Sequence, residues 1–314
     1  MTTPLSRDEL VQWLLQGDIA LQFQVHRDLL GVERTDLRDR TATEGLGARL
    51  LAARTPSGHW GRGYYQPKWT STHYTLQELR LLELPRGVAA IDEALLLVLD
   101  TCIGADGGVN PHRELPQADV CINGMVLDIA CFFGVPEDRL RSVVDFVLDE
   151  RMPDGGFNCR SNRSGAVHSS VHSTLSVLEG IARFDADGYG HRCDELLEAA
   201  SAAREFLLLH RLFRSDRTGE VIHPAFLKLS FPGRWRYDVL RALEHFRALD
   251  AWDPRLDDAL EVVARKRRKD GRWTLQAHHP GAVHERWEQA GQPSRWNTLR
   301  ALRVLDWAAK RSSP

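Results

Sequence analysis

Along most of the chain, apolar residues recur at three- and four-residue steps, the spacing of one helical face, and no convincing alternating pattern marks a strand. Two kinds of helix alternate. Segments near residues 39–53, 88–102, 137–151, 191–211 and 254–268 interleave apolar and charged positions, as helices with a solvent face do. The segments that follow them are apolar around more of their circumference, which predicts burial. Gly-centred turns separate the two kinds: Ser57-Gly-His-Trp60, Asp106-Gly-Gly-Val109, Asp154-Gly-Gly-Phe157 and Asp270-Gly-Arg-Trp273, with a weaker copy at Arg217-Thr-Gly-Glu-Val221. The repeat period is on the order of 50 residues. Two N-terminal helices, Ser6 to Gln16 and Asp18 to Leu30, bring the total to about twelve, in two layers of about six. The fold class is all-α, and the array either stays open or closes on itself.

Leucines at three-residue steps set a common register for the buried helices: His73-Tyr-Thr-Leu76, His172-Ser-Thr-Leu175, Tyr237-Asp-Val-Leu240 and Trp296-Asn-Thr-Leu299. Cys121-Ile-Asn-Gly-Met125 joins them with Met125 shifted by one place. One column then reads His73, Cys121, His172, Tyr237 and Trp296, polar or aromatic in every copy. These helices run parallel, so their N-termini and partial positive charges gather at one rim, where an anion is favoured. The rim also holds Lys68, Arg234, Arg236 and Arg295 beside Trp69, Tyr74, Trp235, Trp296 and Asn297, which are candidates for binding a substrate.

Composition narrows the choices. Lys and Arg number 41 against 43 Asp and Glu, a formal net charge of −2 without the basic excess of a nucleic-acid binder. The longest apolar run, Ala94 to Leu99, is closed by Asp100 and is far too short to cross a bilayer. Arg7, Asp8 and Glu9 stand where a signal peptide needs a basic then apolar run, so a cytoplasmic location is expected. The five cysteines are odd in number and form no C-x-x-C pair, which leaves free thiols or a mixed-ligand metal site.

Gly-centred turns followed by Trp or Phe, alternating with two layers of helices, resemble the repeats of the prenyltransferase and squalene-cyclase superfamily. The resemblance covers roughly residues 40 to 310 and includes Pro67-Lys-Trp-Thr-Ser-Thr-His-Tyr74, Ser170-Val-His-Ser-Thr174 and Pro293-Ser-Arg-Trp-Asn-Thr298. It implies an α/α toroid, a single domain over residues 1–314 in which residues 1–38 complete or cap the ring. It also implies an isoprenoid-type transferase or cyclase-like enzyme acting on an apolar small molecule. The Asp-rich acid of the class II cyclases is absent, since Asp257-Asp258 falls on a solvent-facing helix and Asp238 stands alone; the class I D-D-x-x-D is absent too. The protein farnesyl and geranylgeranyl transferases instead hold zinc through a D-x-C and a His at the start of the next inner helix. Asp119-Val-Cys121 and His172 match that set, and such a site activates a thiol or water. Those transferases need a partner subunit; none is evident here.

Each of these residues also has a plain structural reading. Asp119 suits a helix N-cap, Cys121 a small buried apolar position, and His172 an internal hydrogen bond. His73, Tyr237 and Asp238 are candidates for acid–base work, with His168 and Cys159 near enough to consider. The arginines serve either a phosphate or rim carboxylates such as Glu114. The run Arg265-Lys-Arg-Arg-Lys269 reads as solvated surface at a helix C-terminus, and Trp60 and Trp273 as structural. Two other functions stay open: a binding toroid without chemistry, and a carbohydrate-active enzyme using Glu114, Asp119 and Asp238 as acid and base. The Cys-His-Gly signature of the lanthionine cyclases is absent.

Overall fold

The computed structural model describes residues 4–111, 117–160 and 164–311. The protein is all-α. Its helices are α1 (Arg7–Leu15), α2 (Ile19–Leu30), α3 (Thr35–Arg40), α4 (Gly45–Ala52), α5 (Thr72–Leu81), α6 (Ala89–Thr101), α7 (Val120–Phe133), α8 (Arg141–Asp149), α9 (Val171–Ala186), α10 (Cys193–Leu209), α11 (Val239–Ala248), α12 (Asp257–Arg265) and α13 (Arg295–Arg311). Among the described residues, strand structure is limited to the two-residue antiparallel pair β1 (Trp273–Thr274) and β2 (Pro293–Ser294), besides isolated bridges. Among the described residues, no helix is long and apolar enough to cross a membrane.

The alternation of helix types follows the sequence pattern. Nearly every residue of α7 is buried, and α5, α9, α11 and α13 bury most of theirs, whereas α4, α6, α8, α10 and α12 each keep an exposed face. The buried helices neighbour one another in chain order, α5 with α7, α9, α11 and then α13. Helix α2 lies against α13 and reaches α5, where Gln24 Nε2 donates to the Leu81 carbonyl at 2.9 Å. The closest approach in this set joins α7 to α9. A Cβ on Gly124 would stand 2.6 Å from the Ser176 carbonyl oxygen, so only glycine permits the contact.

The Gly turns share one construction. Gly58, Gly107, Gly155, Gly219 and Gly271 all have φ between +71° and +91°, which explains the residue type at the turn. Two residues later, the backbone N–H is taken by a side chain of the next buried helix: Trp60 by Thr72 Oγ1 (3.0 Å), Val109 by Asn123 Oδ1 (2.7 Å), Phe157 by Thr174 Oγ1 (3.0 Å) and Trp273 by Thr298 Oγ1 (3.0 Å). Trp60 and Trp273 are fully buried, and their indole N–H groups donate to the Leu50 and Val263 carbonyls of the helix before the turn. Each of these two turns is thus pinned to the helices on both sides.

This construction corrects two expectations. The acceptor in α5 is Thr72 rather than the leucine-aligned Thr75, because a 3₁₀ turn at Lys68–Thr70 precedes the helix. His73 therefore sits one turn deeper than Cys121, His172 and Trp296, each two residues before its acceptor. The helix expected over 39–53 is broken between Arg40 and Gly45, where Gly45 has φ +65° and Asp18 Oδ2 accepts the Leu46 N–H at 2.8 Å.

Candidate functional site

At the N-terminal rim, a cavity of about 380 Å³ opens between the start of α9, the segment leading into α11 and the loop after β1. His172, Arg236, Tyr237 and Asp238 line it, as do Phe226, Lys228, Ser230 and His279. Phe226, Tyr237, Ile222 and Ala277 make the body of the hollow apolar. A short parallel bridge between Ser230 and Ala277 holds the two loops together, and buried Asn297 locks them by donating to the Leu229 (3.1 Å) and Thr274 (3.2 Å) carbonyls.

The polar groups around this hollow have defined states. His172 Nδ1 accepts the Tyr237 N–H at 2.8 Å, which places the imidazole proton on Nε2. Burial, then Arg241 and Arg236, push its pKa down to about 4, so the ring is neutral at physiological pH. His279 is likewise pushed down to about 4 by burial and Arg236, and its Nε2 is buried without a partner. Arg236 lies 4.8 Å over the Trp235 ring, forms no ion pair among the described residues, and has a buried, unpartnered Nε. Lys228 is exposed at the edge and is also without an ion pair among the described residues. Asp238 caps α11 by accepting the Arg241 N–H at 2.9 Å, and burial raises its pKa.

Other expected residues are committed elsewhere. His73 is buried beneath the rim, with Nδ1 2.8 Å from the Tyr64 hydroxyl, and burial drives its pKa to about 3. Tyr74 is fully buried against Tyr65, their hydroxyls 2.8 Å apart. The Tyr237 hydroxyl donates to the Leu212 carbonyl, so the ring alone faces the cavity. Arg295 Nε donates to the Trp13 carbonyl at 3.0 Å, and the guanidinium stacks 4.7 Å over Trp13, tying α13 to α1. Trp296 is buried between Phe231 and Trp287. Lys68 bridges the faces of Trp69 (5.1 Å) and Trp235 (5.2 Å), while Arg234 covers Trp69 at 4.4 Å and pairs with buried Glu78 at 3.1 Å. His168 is exposed 4.0 Å from Asp154, and Glu114 lies outside the described residues.

Asp119, Cys121 and His172 are not gathered into a ligand set among the described residues. Among the described residues, no three His, Cys, Asp or Glu side chains gather closely enough to hold a metal. Cys121 instead faces Cys159, whose sulfur accepts the Cys121 N–H at 3.2 Å and lies 3.3 Å from Ser173 Oγ. The hydrogen bond between the two thiols, with burial, raises Cys121 well above the usual thiol range, and it lowers Cys159 against the effect of burial. His172 packs against other aromatic rings, 5.1 Å from Trp235 and 5.3 Å from Phe226.

A larger cavity, about 980 Å³, lies between the C-terminal halves of the buried helices and is walled by residues of α2, α5, α7, α9, α11 and α13. Ten arginines and eight carboxylates line it. Its signal is visible in the sequence at the position seven residues after the rim column: Arg80, Asp128, Glu179, Glu244 and Arg303 are charged in every copy of the buried helices. Lys228, His223 and His279 carry no comparable signal, because they lie in irregular loops. Neither a family model nor a curated protein sequence matches the chain.

Proposed function

We propose that the chain is a closed α/α toroid, with α2 as the sixth inner helix, and that its rim cavity serves an isoprenoid-type transferase or cyclase-like enzyme. Closure is supported by the bridges from α2 to α5 and α13, which join the two ends of the array. The observation that carries the functional reading is the pairing of an apolar hollow with two cations, Arg236 and Lys228, that have no carboxylate partner among the described residues. That arrangement suits a small molecule with an apolar body and an anionic head, such as a short prenyl diphosphate. The volume lies near the lower end of the roughly 300–1,000 Å³ range of ligand sites, which favours a short chain.

Ionisation of an allylic diphosphate places growing negative charge on the leaving group. Arg236, Lys228 and the Nε2–H of neutral His172 are the donors placed to meet it. The faces of Phe226 and Tyr237 line the hollow that would take the carbon end, where positive charge develops. Zinc is not part of this reading, since Cys121 and His172 are engaged with Cys159 and Tyr237.

Calorimetric titration with geranyl diphosphate, geraniol and inorganic diphosphate, followed by a diphosphate-release assay, tests the reading. Geranyl diphosphate is expected to bind more tightly than either fragment, with Arg236→Ala weakening it by about 1–3 kcal/mol. Absence of binding overturns the reading. Binding without diphosphate release selects a toroid that holds its ligand without chemistry.

A further inference from the structure

The cavity between the C-terminal halves of the buried helices is the larger of the two, and the rim reading makes no use of it. Its charges are mostly paired: Arg80 with Asp128 at 2.7 Å, Arg241 with Glu179, and Arg303 with Glu244 and Asp28. A purely structural network would end there, with every guanidinium nitrogen satisfied, since buried polar groups nearly always find partners.

Here they do not. Nε atoms of Arg80, Arg183, Arg234 and Arg247, and Nη1 of Arg234, are buried without a hydrogen-bond partner, all on residues that line this one cavity, and Arg183 also lies within ion-pair distance of Asp128 (3.8 Å) and Asp187 (3.6 Å). Arg234 and His245 are each only 6% exposed, and His245 Nε2 is unpartnered as well. Arg247 has no carboxylate within ion-pair distance among the described residues, and burial lowers its pKa. Arg38, Arg80 and Arg183 all stand within 5.7 Å of the Phe132 ring, so three guanidinium groups gather around one aromatic side chain at the wall. Arg38 and Arg247, both without a carboxylate partner among the described residues, thus line one space large enough for a small molecule, around which ten arginines stand against eight carboxylates. Exposed Ala186, Ala248 and Leu249 at the ends of α9 and α11 mark where that space meets solvent.

We propose that this chamber binds a small molecule through oxyanion groups, phosphate or carboxylate, held by Arg38, Arg183, Arg234 and Arg247. Guanidinium forks match both oxyanions bidentately. Carboxylates hold most of the chamber's arginines in place, Asp128 and Asp187 beside Arg183 and Glu78 beside Arg234, and keep the chamber from attracting anions without selection, so that Arg38 and Arg247 are the two left free for the ligand. This inference stands apart from the rim reading, because the residues that carry it do not line the rim cavity.

The test is calorimetric titration of the full chain with inorganic diphosphate and, separately, with citrate. Arg247→Gln and Arg38→Gln are the informative variants, since neither arginine has a carboxylate partner to be orphaned. Arg236→Ala serves as the rim control, and far-UV circular dichroism verifies the fold. Saturable binding of either anion is expected, at least tenfold weaker in Arg247→Gln and Arg38→Gln and persisting in Arg236→Ala, where only a separate rim component of diphosphate binding is lost. The stronger of the two anions identifies the headgroup chemistry. Binding of neither anion means that water alone fills the chamber and overturns the proposal. So does an affinity unaffected by both glutamine variants, or one lost only in Arg236→Ala. Should Arg247→Gln fail to fold, Arg38→Gln alone decides.

Discussion

Arg303 Nη1, on the last helix of the chain, lies 2.8 Å from Asp28 Oδ2 on the second, and the same guanidinium pairs with Glu244 of α11. One side chain thereby joins the N-terminal pair of helices to the end of the array. The segment before residue 38 is built into the wall of the large cavity through Phe23, Gln24, Arg27 and Asp28. It is not an appendage.

Removing that guanidinium leaves two buried carboxylates short of a partner. Each retains one arginine, Arg27 for Asp28 and Arg300 for Glu244. Arg303→Ala is therefore expected to cost toward the lower end of the roughly 3–5 kcal/mol typical of breaking a buried pair. Burial raises the Glu244 pKa, but Arg300 and Arg303 outweigh it and hold the carboxyl down to about 2, from 4.5. A depressed carboxyl contributes stability above its unfolded value, lost as pH falls through the folded one. The penalty should be full at pH 7 and shrink between about pH 4.5 and pH 2. Urea denaturation at pH 7 and pH 3.5 checks this, and an equal penalty at both would contradict the assignment.

The glycine contact between α7 and α9 sets a second expectation. In Gly180→Ala the new Cβ meets the Gly124 carbonyl oxygen, which is backbone and has little room to give. The two helices must separate, at a cost of about 1–3 kcal/mol for overpacking. The same change at Gly188, where φ is +79° and nothing lies within 4 Å, carries backbone strain without a clash. Thermal denaturation of the two variants separates packing from conformational preference. Gly180→Ala should be the more damaging.

These features differ in how far the sequence disclosed them. Helix type and turn position were legible because both depend on local spacing: a charged face needs charges every three or four residues, and a φ near +80° needs glycine. The rim column was legible for Cys121, His172 and Trp296 and misplaced for His73. A three-residue turn at Lys68–Thr70 shifts the depth of α5, and nothing in the leucine spacing records it. The roles of Arg295 and Asn297 were hidden for another reason. Their partners, Trp13, Leu229 and Thr274, are 282, 68 and 23 residues away, so the competition between substrate and fold for these side chains is decided only in three dimensions. The charged column from Arg80 to Arg303 lay in plain view, but predicting that its helices are buried does not show that these side chains meet around one cavity, which only the arrangement of the helices decides.

At the rim, His172 gives an expectation about pH. With its pKa pushed to about 4, the ring carries no charge from pH 6 to pH 8 and acts as an Nε2–H donor. Binding of geranyl diphosphate should show no inflection attributable to this residue near the ordinary histidine value of about 6.5. His172→Gln, which keeps an amide donor, should retain more affinity than His172→Ala across that range. A step in the wild-type affinity near pH 6.5 that vanishes in both variants would falsify the neutral assignment.

Glu78 and Arg234 form a buried pair whose two members tell the same story. Burial raises the Glu78 pKa to about 7, with Arg234 only partly opposing it, and burial lowers that of Arg234. Both shifts mean that desolvation outweighs attraction across the 3.1 Å contact. For a carboxyl whose folded pKa exceeds its unfolded value, the folded chain holds more protons between the two, so stability falls as pH rises from about 4.5 to 7. A shift of this size corresponds to about 3 kcal/mol at 1.36 kcal/mol per unit. Glu78→Gln mimics the protonated side chain and keeps an acceptor for Arg234. Wild type and variant should therefore match in urea stability near pH 4 and diverge as the pH rises to about 7, above which the glutamine form stays the more stable. A wild type that outlasts the variant at pH 8 would show that attraction wins in this pair, and that Arg234 is held by charge rather than by its seat on Trp69.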